Sequence, residues 1–246
     1  MKFNFKQFSV NQDQTAMKVG TDGVLLGAWT PIPEHCFSVL DIGAGTGVIA
    51  LMIAQRTQAE HPSQNGELTS QIDAIEIDEQ AYEQASENFE NSPWNDRLFC
   101  FHAGLDELIE EPEDEYDLII SNPPFYPENY KSPDDQRATA RFQDAMPFEL
   151  LLEAADLLLS ENGVFSVVIP FKEESRFVNL AKEFELFPIK ITHVKGTPTS
   201  EIKRSLLAFS RNELCEINID VLVIETERHS YTPEYTALTK DFYVKM

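Results

Sequence analysis

Apolar runs of strand length alternate with segments of helix length along most of this chain, and that alternation narrows the fold more than any other feature. FSVLDI (37–42), QIDAIEI (71–77), RLFCFH (97–102), YDLIIS (116–121) and GVFSVVIP (163–170) read as strands. Between them, TGVIALMIAQR (46–56) places Val48, Ile49, Leu51, Met52 and Ile53 in a helical pattern. Asp78 caps a second helix that runs to Asn91, and PFELLLEAADLLLS (147–160) is amphipathic. A helix near 172–185 and strands near 189–195 and 204–210 follow, while 57–70 and 110–115 read as polar loops. Such alternation builds βαβ units. The fold class is therefore α/β: a doubly wound, mostly parallel, seven-stranded sheet in a single domain spanning 1–246. A small C-terminal addition, about 213–246, supplies a further strand and a short helix.

Composition excludes several classes. No stretch approaches the roughly 20 apolar residues that a membrane helix needs, and the opening MKFNFKQFSVNQDQ lacks a signal-peptide core. Cys36, Cys100 and Cys215 fit neither a disulfide framework nor a zinc pattern, and no HxH, HExxH or CxxC occurs, so no metal is expected. The expectation is a protein of the reducing cytoplasm, acting as a monomer. The net charge is −23, but residues 57–117 alone carry −17, while 118–211 carry only −2. Local potential governs phosphate binding, so a nucleic-acid partner is weakened but not excluded.

In doubly wound sheets ligands bind beyond the carboxyl ends of the strands. Three segments meet there. Asp41-Ile42-Gly43-Ala44-Gly45-Thr46-Gly47 follows the first strand and opens a helix. Its spacing is GxGxG, not the GxGxxG of dinucleotide folds; taken alone it is also a tight strand-to-helix turn. Asp41 would repel a pyrophosphate but suits a cationic amino-acid group. Glu76, at the tip of the second strand, can accept hydrogen bonds from a ribose diol. Together these point to S-adenosylmethionine. The third segment is Ser121-Asn122-Pro123-Pro124-Phe125-Tyr126, where two prolines stop the fourth strand. Asn122 offers an acceptor and a donor, and Pro123 a carbonyl with no N–H. Two acceptors can hold an exocyclic amine, and Phe125 or Tyr126 can stack on a planar ring.

DIGAGTG followed by SNPPF resembles the class I methyltransferases that modify amino nitrogens. The flanks FKQFSVNQDQTAMKVGTDGVLLGAW, KSPDDQRATAR, KRSLLAFSR and YTPEYTALTKDFYVKM are similar to tRNA adenine-N6 methyltransferases acting on valine tRNA, nearly end to end. The resemblance implies a Rossmann-like fold and a target adenine just 3′ of the anticodon, position 37. It implies Asn122, Pro123, Pro124 and Phe125 as the amine pocket, and Asp41, Gly43, Gly45, Gly47 and Glu76 around the cofactor. It implies that residues about 1–30 form a cofactor lid, with Lys18, Thr21 and Asp22 beside the methionine end. The usual acidic residue after the third strand is absent; the chain has His102-Ala103-Gly104 there, so backbone groups of Ala103 or Gly104 stand in its place.

The loop 126–146 carries Lys131, Arg137 and Arg141, and Lys203 and Arg204 lie after a turn at 196–200. Each set is either a clamp on RNA phosphates or a solvated loop. His102, His193 and His229 read as ordinary. The rival substrates are a protein glutamine amide, which presents a similar planar amine, and DNA adenine, which usually comes with a recognition domain. A nicotinamide oxidoreductase is disfavoured by GxGxG and by the lack of a Tyr-x-x-x-Lys pair.

Overall fold

The computed structural model describes residues 1–58, 70–110, 112, 114–124 and 146–246. Phe125, Lys131, Arg137 and Arg141 lie outside the described residues, as does most of the 57–70 loop.

Five parallel strands make one side of the main sheet, out to its β5 edge: β3 (Ser38–Ile42), β4 (Gln71–Glu76), β5 (Leu98–His102), β6 (Tyr116–Ser121) and β7 (Leu159–Pro170). β8 (Phe187–Lys195) and β9 (Ile202–Ser210) complete the expected seven, with β9 antiparallel to both β7 and β8. The tail contributes β10 (Asn218–Val223), which adds to β8 in parallel and makes an eighth strand. The order is β10-β8-β9-β7-β6-β3-β4-β5. β3 and β6 are almost continuous apolar runs because helices cover both faces of the sheet.

One face is covered by α1 (Thr21–Trp29), α2 (Val48–Arg56), α3 (Glu79–Glu90) and α7 (Pro233–Thr239). The other is covered by α4 (Leu105–Glu110), α5 (Phe148–Leu158) and α6 (Glu174–Ala181). α1 is buried from Gly23 to Trp29 and α2 from Val48 to Ala54, since α2 is sandwiched between α1 and the sheet. Asp78 caps α3 as expected, its Oδ1 accepting from the Ala81 amide at 2.8 Å, and Asn91 closes the helix. The helix expected near 172–185 is a composite: α6 is flanked by single 3-10 turns at Phe171–Glu173 and Lys182–Phe184.

The segment of residues about 1–30 is the expected cofactor lid, and its first part is pinned along one route. β1 (Lys2–Asn4) and β2 (Ser9–Asn11) form an antiparallel hairpin. Its Phe5 stacks between Phe8 and Tyr243, at 4.6 and 5.9 Å. Beyond it, the buried amides of α3 hold the chain. Asn88 accepts from the Asn11 amide and donates to the Asn11 and Thr46 carbonyls, and Gln84 accepts from the amides of Asp13 and Gln14. The arm is thereby tied to the turn that opens α2.

At the opposite, amino edge of the sheet, Arg97 is buried and donates to the Ser70 carbonyl at 2.8 Å, to Thr57 Oγ1 at 3.0 Å, and to the Ala54 carbonyl at the end of α2. Arg97→Met removes the donors and leaves two buried carbonyls unpaired. The expected loss is about 2–4 kcal/mol of stability, read as a lowered urea midpoint with an unchanged slope.

Candidate active site

The carboxyl ends of β3, β4, β5 and β6 bring together most of the residues singled out from the sequence. After β3, the chain turns into α2 through Gly43, Gly45 and Gly47, all with positive φ (76°, 55° and 74°). A Cβ on Gly43 or Gly45 would meet nothing within 4 Å, so the loop's surface is open where a ligand would lie. Gly47 is different in kind: a Cβ there would stand 2.5 Å from Phe89 Cε1, so this glycine serves packing against α3.

Glu76 fixes that loop. Its Oε2 accepts from the Gly45 amide at 2.8 Å, and its Oε1 from the Asp78 amide at 3.0 Å. Each oxygen keeps a lone pair, so the carboxylate can still accept from hydroxyl groups. Asp41 lies beneath the loop and is 1% exposed. Its Oδ2 accepts from the Ala50 amide at 3.1 Å, while its buried Oδ1 has no hydrogen-bond partner. Burial, with the Glu76 charge adding to it, pushes its carboxyl up to about 7. A buried acceptor without a donor is costly, and a cationic ammonium is the group that relieves it. An open glycine cradle and an orphaned acidic oxygen beside it fit an S-adenosyl amino acid.

Beyond β5, Ala103 donates to the Glu76 carbonyl at 3.2 Å, and Gly104 is buried. Sequence reasoning missed Asp106. It sits in the first turn of α4, and its carboxylate curls back over Gly104, where a side chain on residue 104 would collide with it. An acidic side chain thus lies over position 104 from two residues later. Ile77, next to Glu76, is 67% exposed and stands 3.6 Å from the place of a Gly104 Cβ. Glu76, Ile77 and Asp106 together offer acceptors and an apolar face suited to a nucleoside.

At the end of β6, Ser121 Oγ donates to the Ile42 carbonyl at 2.9 Å and locks β6 against β3. Asn122 and Pro124 are half-buried and Pro123 is buried. The backbone of α1 closes on Asn122: a Cβ on Gly23 would be 3.9 Å from Asn122 Nδ2 and 3.6 Å from Val48 Cγ1. Asp22, one residue earlier, accepts from Arg204 Nε at 2.7 Å. Arg204, expected on RNA, is therefore engaged in tying β9 to α1. Lys18 is exposed ahead of the same helix and Thr21 at its first position, and Lys203 is exposed at the start of β9. Among the described residues, no cluster of three metal-ligating side chains occurs.

Comparisons with known proteins agree with this architecture. The family model described as "Methyltransferase small domain" matches residues 24–189. The chain is 74% identical to the tRNA1(Val) (adenine(37)-N6)-methyltransferase of Flavobacterium johnsoniae, over 99% of this chain and 100% of that protein. It is 55% identical to the enzyme of the same name from Christiangramia forsetii, over 99% and 98% of the two chains. Among solved structures, a predicted O-methyltransferase from Agrobacterium tumefaciens superposes with a TM-score of 0.68 at 18% identity, covering 90% of this chain and 96% of the other. That last likeness is one of fold.

The buried Asp41 carboxyl has a measurable consequence. With a native pKa near 7, the folded protein holds a proton that the unfolded chain has released. Stability from this group is complete below the ordinary carboxylate range and is lost as pH rises to about 7. Between pH 5 and pH 8, wild type should lose about 2–3 kcal/mol relative to Asp41→Asn. Parallel denaturant curves at the two pH values measure the difference; equal pH dependence in both proteins would show that Asp41 titrates normally.

Proposed function

We infer from the family to which this chain belongs, the tRNA1(Val) (adenine(37)-N6)-methyltransferases, that it transfers a methyl group from S-adenosylmethionine to the exocyclic N6 of an adenine in tRNA. The observation that carries the reading at the site is the placement of Asn122. It stands at the end of the strand beside the glycine loop, under the first turn of α1. The target is adenine 37, and the working unit is a monomer in the cytoplasm.

The cofactor supplies an electrophilic methyl group carried on a sulfonium. Gly43 and Gly45 let the backbone approach it, Asp41 faces its ammonium, and Glu76 accepts from its ribose. Asp106, with the backbone of Ala103 and Gly104, would accept from its adenine amine, and Ile77 would offer the ring an apolar face. Lys18, Thr21 and Asp22 close over the methionine end, and the arm pinned by Asn88 and Gln84 acts as the lid.

For the substrate, Asn122 Oδ1 and the Pro123 carbonyl each accept one hydrogen of the adenine N6. Both contacts draw electron density onto the nitrogen and aim its lone pair at the methyl. Attack would form the N–C bond as the methyl–sulfur bond breaks, the electron pair staying on sulfur to leave the thioether S-adenosylhomocysteine. The nitrogen, cationic at that point, would then release a proton to water, so no side-chain base is required. Pro124 fixes the bend, and Phe125 stacks on the flipped base. Lys131, Arg137, Arg141 and Lys203 contact RNA phosphates. The acidic stretch 57–117 keeps RNA to this one edge.

Asn122→Ala should lower the methyl-transfer rate to tRNA by roughly 100-fold or more, since misorienting the nucleophile acts on the chemical step. Calorimetric affinity for S-adenosylhomocysteine should stay within about two-fold of wild type. Glu76→Ala should do the reverse at the cofactor, costing about 1–3 kcal/mol in that affinity. An Asn122→Ala enzyme with near wild-type turnover would remove Asn122 from the amine pocket.

A further inference from the structure

We propose that Phe171 is a stacking platform for a nucleobase adjoining the target adenine, and that His193, Glu174 and Ser205 hold its ring in place; the proposal rests on the tRNA reading above. Phe171 is the first residue after β7. The register pairs Ser121, the last residue of β6, with Val167 of β7, so β7 runs three residues beyond that pair to Pro170 on the same sheet edge. The other neighbour of β7 pairs Pro170 with Arg204, the residue tied to Asp22. Phe171 therefore leaves the sheet on the edge that carries Asn122, one strand over (about 4.8 Å) and three residues further along, roughly 10 Å in the strand direction.

A half-exposed phenylalanine is not unusual by itself. The support beneath this one is. Its ring is 38% exposed and meets the His193 ring edge-on, at 5.1 Å and 81°. His193 Nε2 is 2.8 Å from Glu174 Oε2, and Ser205 Oγ donates to that same oxygen. Ser205 is fully buried, and the His193 and Glu174 side chains are 18% exposed. His193 of β8 thus meets the ring directly, while Glu174 of α6, itself bonded by Ser205 of β9, holds His193; more than a third of the Phe171 surface faces out. Lys172, the next residue, is 61% exposed and only loosely paired with Glu173 at 3.6 Å. Such a pair contributes little, so its ammonium is available to a phosphate.

An exposed ring beside an available cation is what single-stranded nucleic acid recognition uses. The reaction also creates the need. To reach Asn122 the adenine must leave its stack, which uncovers the face of the neighbouring base. In a single-stranded loop such a base stacks on an aromatic side chain. A ring held one strand over from Asn122 is placed to take it.

The test is steady-state methylation of an anticodon stem-loop, with anisotropy of the labelled RNA alongside. Phe171→Ala should raise the RNA KM and Kd by about 5- to 150-fold, the range for loss of base–aromatic stacking, with S-adenosylhomocysteine affinity unchanged. Phe171→Trp should stay within about three-fold of wild type. His193→Ala should raise KM less than Phe171→Ala, leave kcat unchanged, and add nothing in a Phe171→Ala background. Unchanged KM and Kd in Phe171→Ala would overturn the proposal, as would a Trp variant as impaired as Ala, or additive effects of the two alanine changes. If wild type binds the stem-loop but methylates no adenine in it, the functional reading fails instead, and the binding arm still decides the role of Phe171.

Discussion

The Glu76 carboxylate is the point on which the site depends. One oxygen takes the Gly45 amide and the other the Asp78 amide. The loop after β3, whose Gly43 and Ala44 amides both donate to the Ile75 carbonyl, is thereby tied further to the tip of β4 through side-chain bonds. Everything above follows from that tie. The glycine cradle stays open, α2 starts in register with α1, and α1 can set Gly23 against Asn122. Charge-assisted bonds of this kind are among the stronger polar contacts in proteins. Here the same group is left able to hold a ligand hydroxyl.

A second constraint is electrostatic. Three carboxylates, Asp41, Glu76 and Asp106, line the cofactor side, and the Asp41 carboxyl is raised by burial. The proposed amine pocket, by contrast, holds an amide and prolines. On that proposal, cationic and hydroxyl groups go to one side and a neutral planar amine to the other. Lys172 and Lys203 stand at the ends of β7 and β9, beyond that neutral pocket. At β7 and β9 the edge thus gains exposed cations, interspersed with Glu173 and Glu201.

Much of this was legible in the chain because it is local. Asp78 and Asn91 mark both ends of α3, the stop at Asn122-Pro123-Pro124 ends β6, and Asp41, Gly43, Gly45 and Glu76 fall where the strand ends meet. What escaped depends on contacts distant in sequence or on short elements. α4 has six residues and no strong start signal, so Asp106 could not be placed over Gly104. The β1–β2 hairpin is made by Phe5 meeting Tyr243, and Arg204 finds Asp22 across 182 residues. His193 looked ordinary alone; its role depends on Glu174 and Ser205, which arrive on other elements. The eighth strand was foreseen only as an addition, because edge placement is set by β8.

The most direct test of the account is methyl transfer from labelled S-adenosylmethionine into total tRNA, followed by nucleoside analysis and mapping of the modified position. The account predicts N6-methyladenosine at position 37 of valine tRNA, and no incorporation when that adenine is replaced by guanine, which lacks the N6 amine. Label recovered in another nucleoside, or retained after the replacement, would contradict it.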